Sequence, residues 1–114
     1  MPYFDHEKLD CYRIAMQALV LVDAIANSLP RGYAKLKDQM QRASQGVVLL
    51  IAEASARTGA DRAMRFKLAR SEAGEAGSAI ACALELQLVP TAKCDEAREL
   101  LLRVSAMLWP LTKR

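Results

Sequence analysis

Residues 32–57 read GYAKLKDQMQRASQGVVLLIAEASAR, and this stretch decides the fold. Leu36, Met40, Ala43, Val47, Leu50 and Ala54 recur at steps of four and three, the spacing that lines side chains along one side of an α-helix. Such an unbroken seam resembles coiled-coil spacing and must be buried against neighbouring helices. Pro30 lies upstream and Gly59 downstream, so the pattern predicts a helix over about 32–57.

Working outward, the same rhythm appears on both sides. Phe66, Ala69, Ala73, Ala76, Ile80 and Ala83 predict a third helix over about 59–88, entered through Gly59, with Thr58 and Asp61 placed as a capping box. Its centre is small, and Gly74 and Gly77 each cost about 1 kcal/mol relative to alanine in a helix. Antiparallel folding about Gly59 sets them level with residues 41–45, where they would admit a close backbone or the Arg42 side chain. Upstream, Tyr12, Ala15, Leu19, Val22, Ala26 and Leu29 form one stripe of a first helix over about 5–28, with Asp5 as N-cap. Ile14, Ala18, Leu21 and Ile25 form a second stripe, read as the opposite face and hence as a surface for another subunit. Downstream, Thr91 can cap a fourth helix over about 92–108, with Ala97, Leu101, Val104 and Leu108 inward and Pro110 ending it.

Composition agrees with an all-α chain. In 114 residues, 53% are hydrophobic and 5% aromatic, which suits one helical domain spanning 1–114 and lacks the aromatic and β-branched bias of sheets. The expected architecture is an antiparallel up-down-up-down four-helix bundle. Cys11, Cys82 and Cys94 form no C-x-x-C pair and are expected to be buried free thiols. The N-terminus is charged where a signal peptide would be apolar, and no apolar run is long enough to span a bilayer, so the expected setting is cytoplasmic, without a membrane partner.

Charge is distributed unevenly. The net +3 conceals an excess of six positive charges in residues 31–70 and of four negative charges in residues 71–100. Arg57, Arg62, Arg65, Lys67 and Arg70 have only Asp61 among them; they read either as a solvated helix face or as a patch for RNA or DNA phosphates. Glu53 follows six apolar residues and reads as a buried carboxylate needing a partner, with Arg57 the nearest cation in sequence. Gln39, Arg42, Glu53, Glu72 and Glu75 are expected to form a structural polar layer between the second and third helices. The only histidine, His6, precedes or begins the first helix, is expected to be exposed, and belongs to no Glu-x-x-His motif. No phosphate-loop or dinucleotide motif is present. The expectation is a chain that is not an enzyme, with no metal and no cofactor.

Several of these segments occur together in a recognisable order: Phe4 then Leu9-Asp10-Cys11-Tyr12, Gln39-Met40-Gln41-Arg42-Ala43, Ile51-Ala52-Glu53, Arg65-Phe66, and Ala69 followed by Glu75. Together they resemble the four-helix bundle family encoded in intervening sequences of bacterial 23S ribosomal RNA genes, over essentially the whole chain. The resemblance implies a homopentameric ring without enzymatic activity. It extends to a basic, nucleic-acid-binding branch, the accessory variability proteins of diversity-generating retroelements. It also implies that Gln39, Arg42, Glu53 and Glu75 are recurrent polar positions. Leu50-Ile-Ala-Glu-Ala54 stands where the family usually has Asn-Ile-Ala-Glu-Gly, and Ser71-Glu72 replaces a glycine-serine pair. The leading expectation is a homo-oligomeric helical scaffold engaging RNA or DNA backbone through its basic surface. The alternative is a protein-interaction module that binds no nucleic acid.

Overall fold

The computed structural model describes residues 3–113. Met1, Pro2 and Arg114, which the expected domain also takes in, lie outside the described residues. A 3-10 turn, Asp5–Lys8, precedes α1 (Asp10–Asn27), α2 (Ala34–Ser55), α3 (Gly59–Glu85) and α4 (Thr91–Leu108), and a second 3-10 turn spans Trp109–Thr112. All regular elements among the described residues are helical. Each helix packs on its chain neighbours, and α4 closes against α1, which is the up-down-up-down bundle the sequence predicts.

Helix ends differ from expectation for local reasons. Leu9 is extended (φ −76°, ψ 131°) and separates the opening turn from α1, so Leu9 rather than Asp5 is the N-cap. Gly32 has φ +102°, and α2 begins two residues after it. α3 stops at Glu85 because Gln87 turns left-handed at φ +58°. There the Leu88 N–H donates to the Ala83 carbonyl at 2.9 Å and the Gln87 N–H to the Leu84 carbonyl at 3.0 Å, a Schellman exit built on glutamine instead of glycine. The Thr58–Asp61 capping box does not form: the Thr58 hydroxyl makes no cap bond, and Asp61 turns to Arg57 and Arg65. Pro90 takes the N-cap position of α4, with Thr91 the first helical residue.

The predicted seams of α3 and α4 are buried in full. On α2, Met40, Ala43, Val47 and Ala54 are buried and joined by Ser44, Val48 and Ile51, with Leu36 and Leu50 half-buried. Phe66, Met40, Ile51, Ile80 and Leu108 are the largest fully buried side chains. Phe66 alone is worth about 3–5 kcal/mol against alanine.

The reading of α1 as double-faced is corrected. At about 100° per residue its two stripes lie about a quarter turn apart, not opposite, and merge into one face about half the cylinder wide. Cys11, Ile14, Ala15, Ala18, Val22, Ile25 and Ala26 are buried within the single chain, where α2 and α4 both pack on α1. The first helix therefore needs no second subunit to cover it.

Candidate nucleic-acid interface

The basic run divides on α3. Arg62 and Arg65 lie on the side toward α1 and α2, while the pair Lys67 and Arg70 is centred about 140° round the helix from them, toward α4. Arg57 and Arg65 both meet Asp61, at 3.8 and 3.2 Å, and Arg65 Nη1 donates to Glu53 Oε2 at 3.0 Å. Arg62 is half-buried, its guanidinium 4.9 Å from the Phe66 ring centroid and donating to the Ala54 carbonyl at 3.4 Å. Three of the five expected phosphate contacts are thus engaged in fastening the α2–α3 turn. The five do not form one patch.

The expected polar layer forms in a different arrangement. Glu53 is exposed rather than buried, and its partner is Arg65 on α3 rather than Arg57 one turn on. Its place on α2 explains this: it lies outside the seam of Val47, Ile51 and Ala54, beside the exposed Leu49. Arg42 pairs with Asp38 at 3.9 Å on its own helix, and Gln39 Nε2 donates to Glu75 Oε1 at 3.5 Å. Glu72 lies across Gly46, where an added Cβ would meet its Cγ and Cδ at 3.2 Å. Desolvation raises the Glu72 pKa from its ordinary 4.5, the neighbouring Glu75 carboxyl raises it further, and Arg42 opposes the shift.

Gly74 and Gly77 do not face α2. Beyond the chain neighbours and local backbone of α3, no atom lies within 4 Å of a Cβ added at either. They line the opposite side, a recess of about 270 Å³ between α3 and α4 with Ala73, Ala81, Arg98 and Leu102. A second recess, of about 400 Å³, continues from it at Gly74 and Ser105 and is walled by Lys67, Arg70, Ser71, Trp109 and Thr112. No carboxylate lines either one among the described residues. Arg70 Nε donates to the Ser105 carbonyl at 3.2 Å and its guanidinium sits 4.9 Å from the Trp109 ring centroid, while Lys113 Nζ lies 4.3 Å from it. Neither Lys67, Arg70, Arg98 nor Lys113 takes part in an ion pair among the described residues.

Sequence reasoning missed Arg98, Trp109 and Lys113 here. For Arg98 and Trp109 the signal was the four-three-four spacing of Arg98, Leu102, Ser105 and Trp109, a line beside the apolar seam of α4 that reaches its C-cap; Lys113 had no such signal.

Of the thiols, Cys11 and Cys94 are buried and Cys82 is exposed, against the expectation of three buried ones. Burial raises the pKa of Cys11 and of Cys94. His6 is half-buried rather than exposed, stacked 5.4 Å from Phe4 and edge-on 4.8 Å from Tyr12. No group of three or more His, Cys, Asp or Glu gathers as a metal set among the described residues. No helix of the described residues is long and apolar enough to cross a membrane.

No curated protein matches this chain. The family described as 23S rRNA-intervening sequence protein matches residues 7–109, from the opening turn through all four helices to the recess tryptophan, and the chain belongs to that family.

Proposed function

We propose that this chain is a non-enzymatic cytoplasmic scaffold that assembles with copies of itself and holds RNA or DNA by the backbone. The observation that carries the nucleic-acid reading is the α3–α4 face, where, among the described residues, Lys67, Arg70, Arg98 and Lys113 stand without ion-pair partners around recesses that no carboxylate lines. Unpaired cations on one face attract phosphates and release counterions, with little dependence on base sequence. The family's description, which refers to 23S ribosomal RNA, is consistent with a nucleic-acid setting.

Self-assembly draws support from a different face than the sequence suggests. Leu49 is 61% exposed on α2, and Met64 and Leu68 are exposed on the neighbouring outer side of α3, flanked by the Glu53–Arg65 pair. An apolar strip rimmed by charges suits contact between copies. A homopentamer is what the resemblance implies.

Light scattering together with a salt series of binding to a short RNA tests both parts. The expected result is an oligomer that Leu49→Glu with Leu68→Glu reduces to monomers, and an affinity that falls linearly with salt on logarithmic axes. A folded monomer at all concentrations would remove self-assembly. Absence of binding at low salt would remove the nucleic-acid reading and favour a protein-interaction module.

A further inference from the structure

The recess at the C-terminal end of α4 holds chemistry that phosphate binding alone does not use. Trp109, the chain's only tryptophan, keeps 51% of its surface exposed with Arg70 and Lys113 both beside its ring. Arg70 is held in place by the Ser105 carbonyl, and Thr112 is buried beneath, its hydroxyl donating to the Trp109 carbonyl at 2.6 Å. The 3-10 turn that carries Trp109 packs on α3, so the ring is backed by the bundle rather than hung from a loop. Lys67, Ser71 and Ser105 complete the wall with an ammonium and two hydroxyls. An aromatic platform, two cations and hydroxyl donors lining one recess, with a third cation, Lys113, beside the ring, match a unit that carries both a flat ring and a phosphate.

We propose that this recess binds one nucleotide of a single-stranded RNA or DNA, the base against Trp109 and the flanking phosphates on Lys67, Arg70 and Lys113. The inference rests on the phosphate-binding reading above and narrows its ligand. In a duplex the bases are stacked on one another and offer no free face to a side chain, whereas a single strand can splay one base onto an aromatic ring. Arrival of a phosphate at Lys113 draws its ammonium from the ring and clears more of that surface for the base.

Because Trp109 is the only tryptophan, its fluorescence reports this recess alone. The full chain is titrated with a twelve-nucleotide thymidine strand, a duplex of equal length, uridine monophosphate and polyglutamate at one salt concentration. Trp109→Ala and Trp109→Phe variants are followed by anisotropy of a labelled strand, with circular dichroism as the check on folding. The expected result is quenching by the single strand, binding at least about tenfold tighter than to the duplex, an approximately tenfold loss in Trp109→Ala, and near-parental binding in Trp109→Phe. Weak quenching by the mononucleotide supports the same recess; tighter binding of the mononucleotide than of the strand would replace strand binding with free-nucleotide binding and overturn the proposal. Equal binding of strand and duplex, unchanged emission, an unaffected Trp109→Ala, or polyglutamate binding as tightly as the strand with the same quenching would also overturn it. Strand and duplex binding alike leaves the backbone reading standing; no binding of either ends both. Should Trp109→Ala fail to fold, quenching and strand preference in the parent protein decide.

Discussion

Two ends of one cationic run behave differently. At the α2–α3 turn, Arg57 and Arg65 meet Asp61 and Glu53, and Arg62 lies over Phe66. Five residues on along α3, Lys67 and Arg70 face α4 and meet an aromatic ring and hydroxyls instead of carboxylates. Rotation about the helix axis, not separation along the chain, assigns one group to structure and the other to a ligand. A cation already matched by a carboxylate offers little field to a phosphate; an unmatched one beside a recess offers most of its own.

The sharpest way to break the comparison is charge reversal on each side. Lys67→Glu with Arg70→Glu is expected to weaken nucleic-acid binding roughly a hundredfold, about 2.8 kcal/mol, in a filter-binding assay. Next in size, Arg62→Ala is expected to cost about 1–2 kcal/mol in urea unfolding, since it removes a guanidinium from Phe66 and a donor from the Ala54 carbonyl, while binding stays near parental. Replacing Gln87 by glycine relieves a left-handed residue and is expected to add about 1 kcal/mol, read from the same urea midpoint. The smallest effect concerns Glu72. Its folded pKa is raised, so its ionisation penalises the folded state as pH rises above 4.5, and nothing is lost below that. Glu72→Gln should therefore raise the melting temperature at pH 7 by at most about 2–3 °C, with the gain gone by about pH 4.

The fold was legible because seams at four-three spacing survive translation from sequence to structure: Phe66, Ala69, Ala73, Ala76, Ile80 and Ala83 are all buried where the pattern puts them. Rotation was harder to read. The level of Gly74 and Gly77 opposite residues 41–45 follows from the antiparallel register that also brings Gly46 to Glu72, but the glycines look toward α4 and open space. The two stripes of α1 look opposite when only their two-residue offset is counted, yet a quarter turn separates them. The apolar run before Glu53 suggests burial, yet a helix turns some of such a run outward, as Leu49 shows, and Glu53 one turn on shares its exposed side. Of the site, Lys67 and Arg70 were legible as basic residues. Trp109 continues the Arg98–Leu102–Ser105 line of α4, whereas Lys113 follows the 3-10 turn and has no periodicity to place it.

The division of the cations is tested most directly by comparing salt slopes of single-strand binding for two neutralised proteins. One carries Lys67→Gln, Arg70→Gln and Lys113→Gln, the other Arg57→Gln and Arg65→Gln. The account predicts that the first loses about 0.7 from the logarithmic slope for each phosphate contact removed, roughly 2 in total, while the second keeps the parental slope. A reduced slope in the second protein together with an unchanged slope in the first would contradict it.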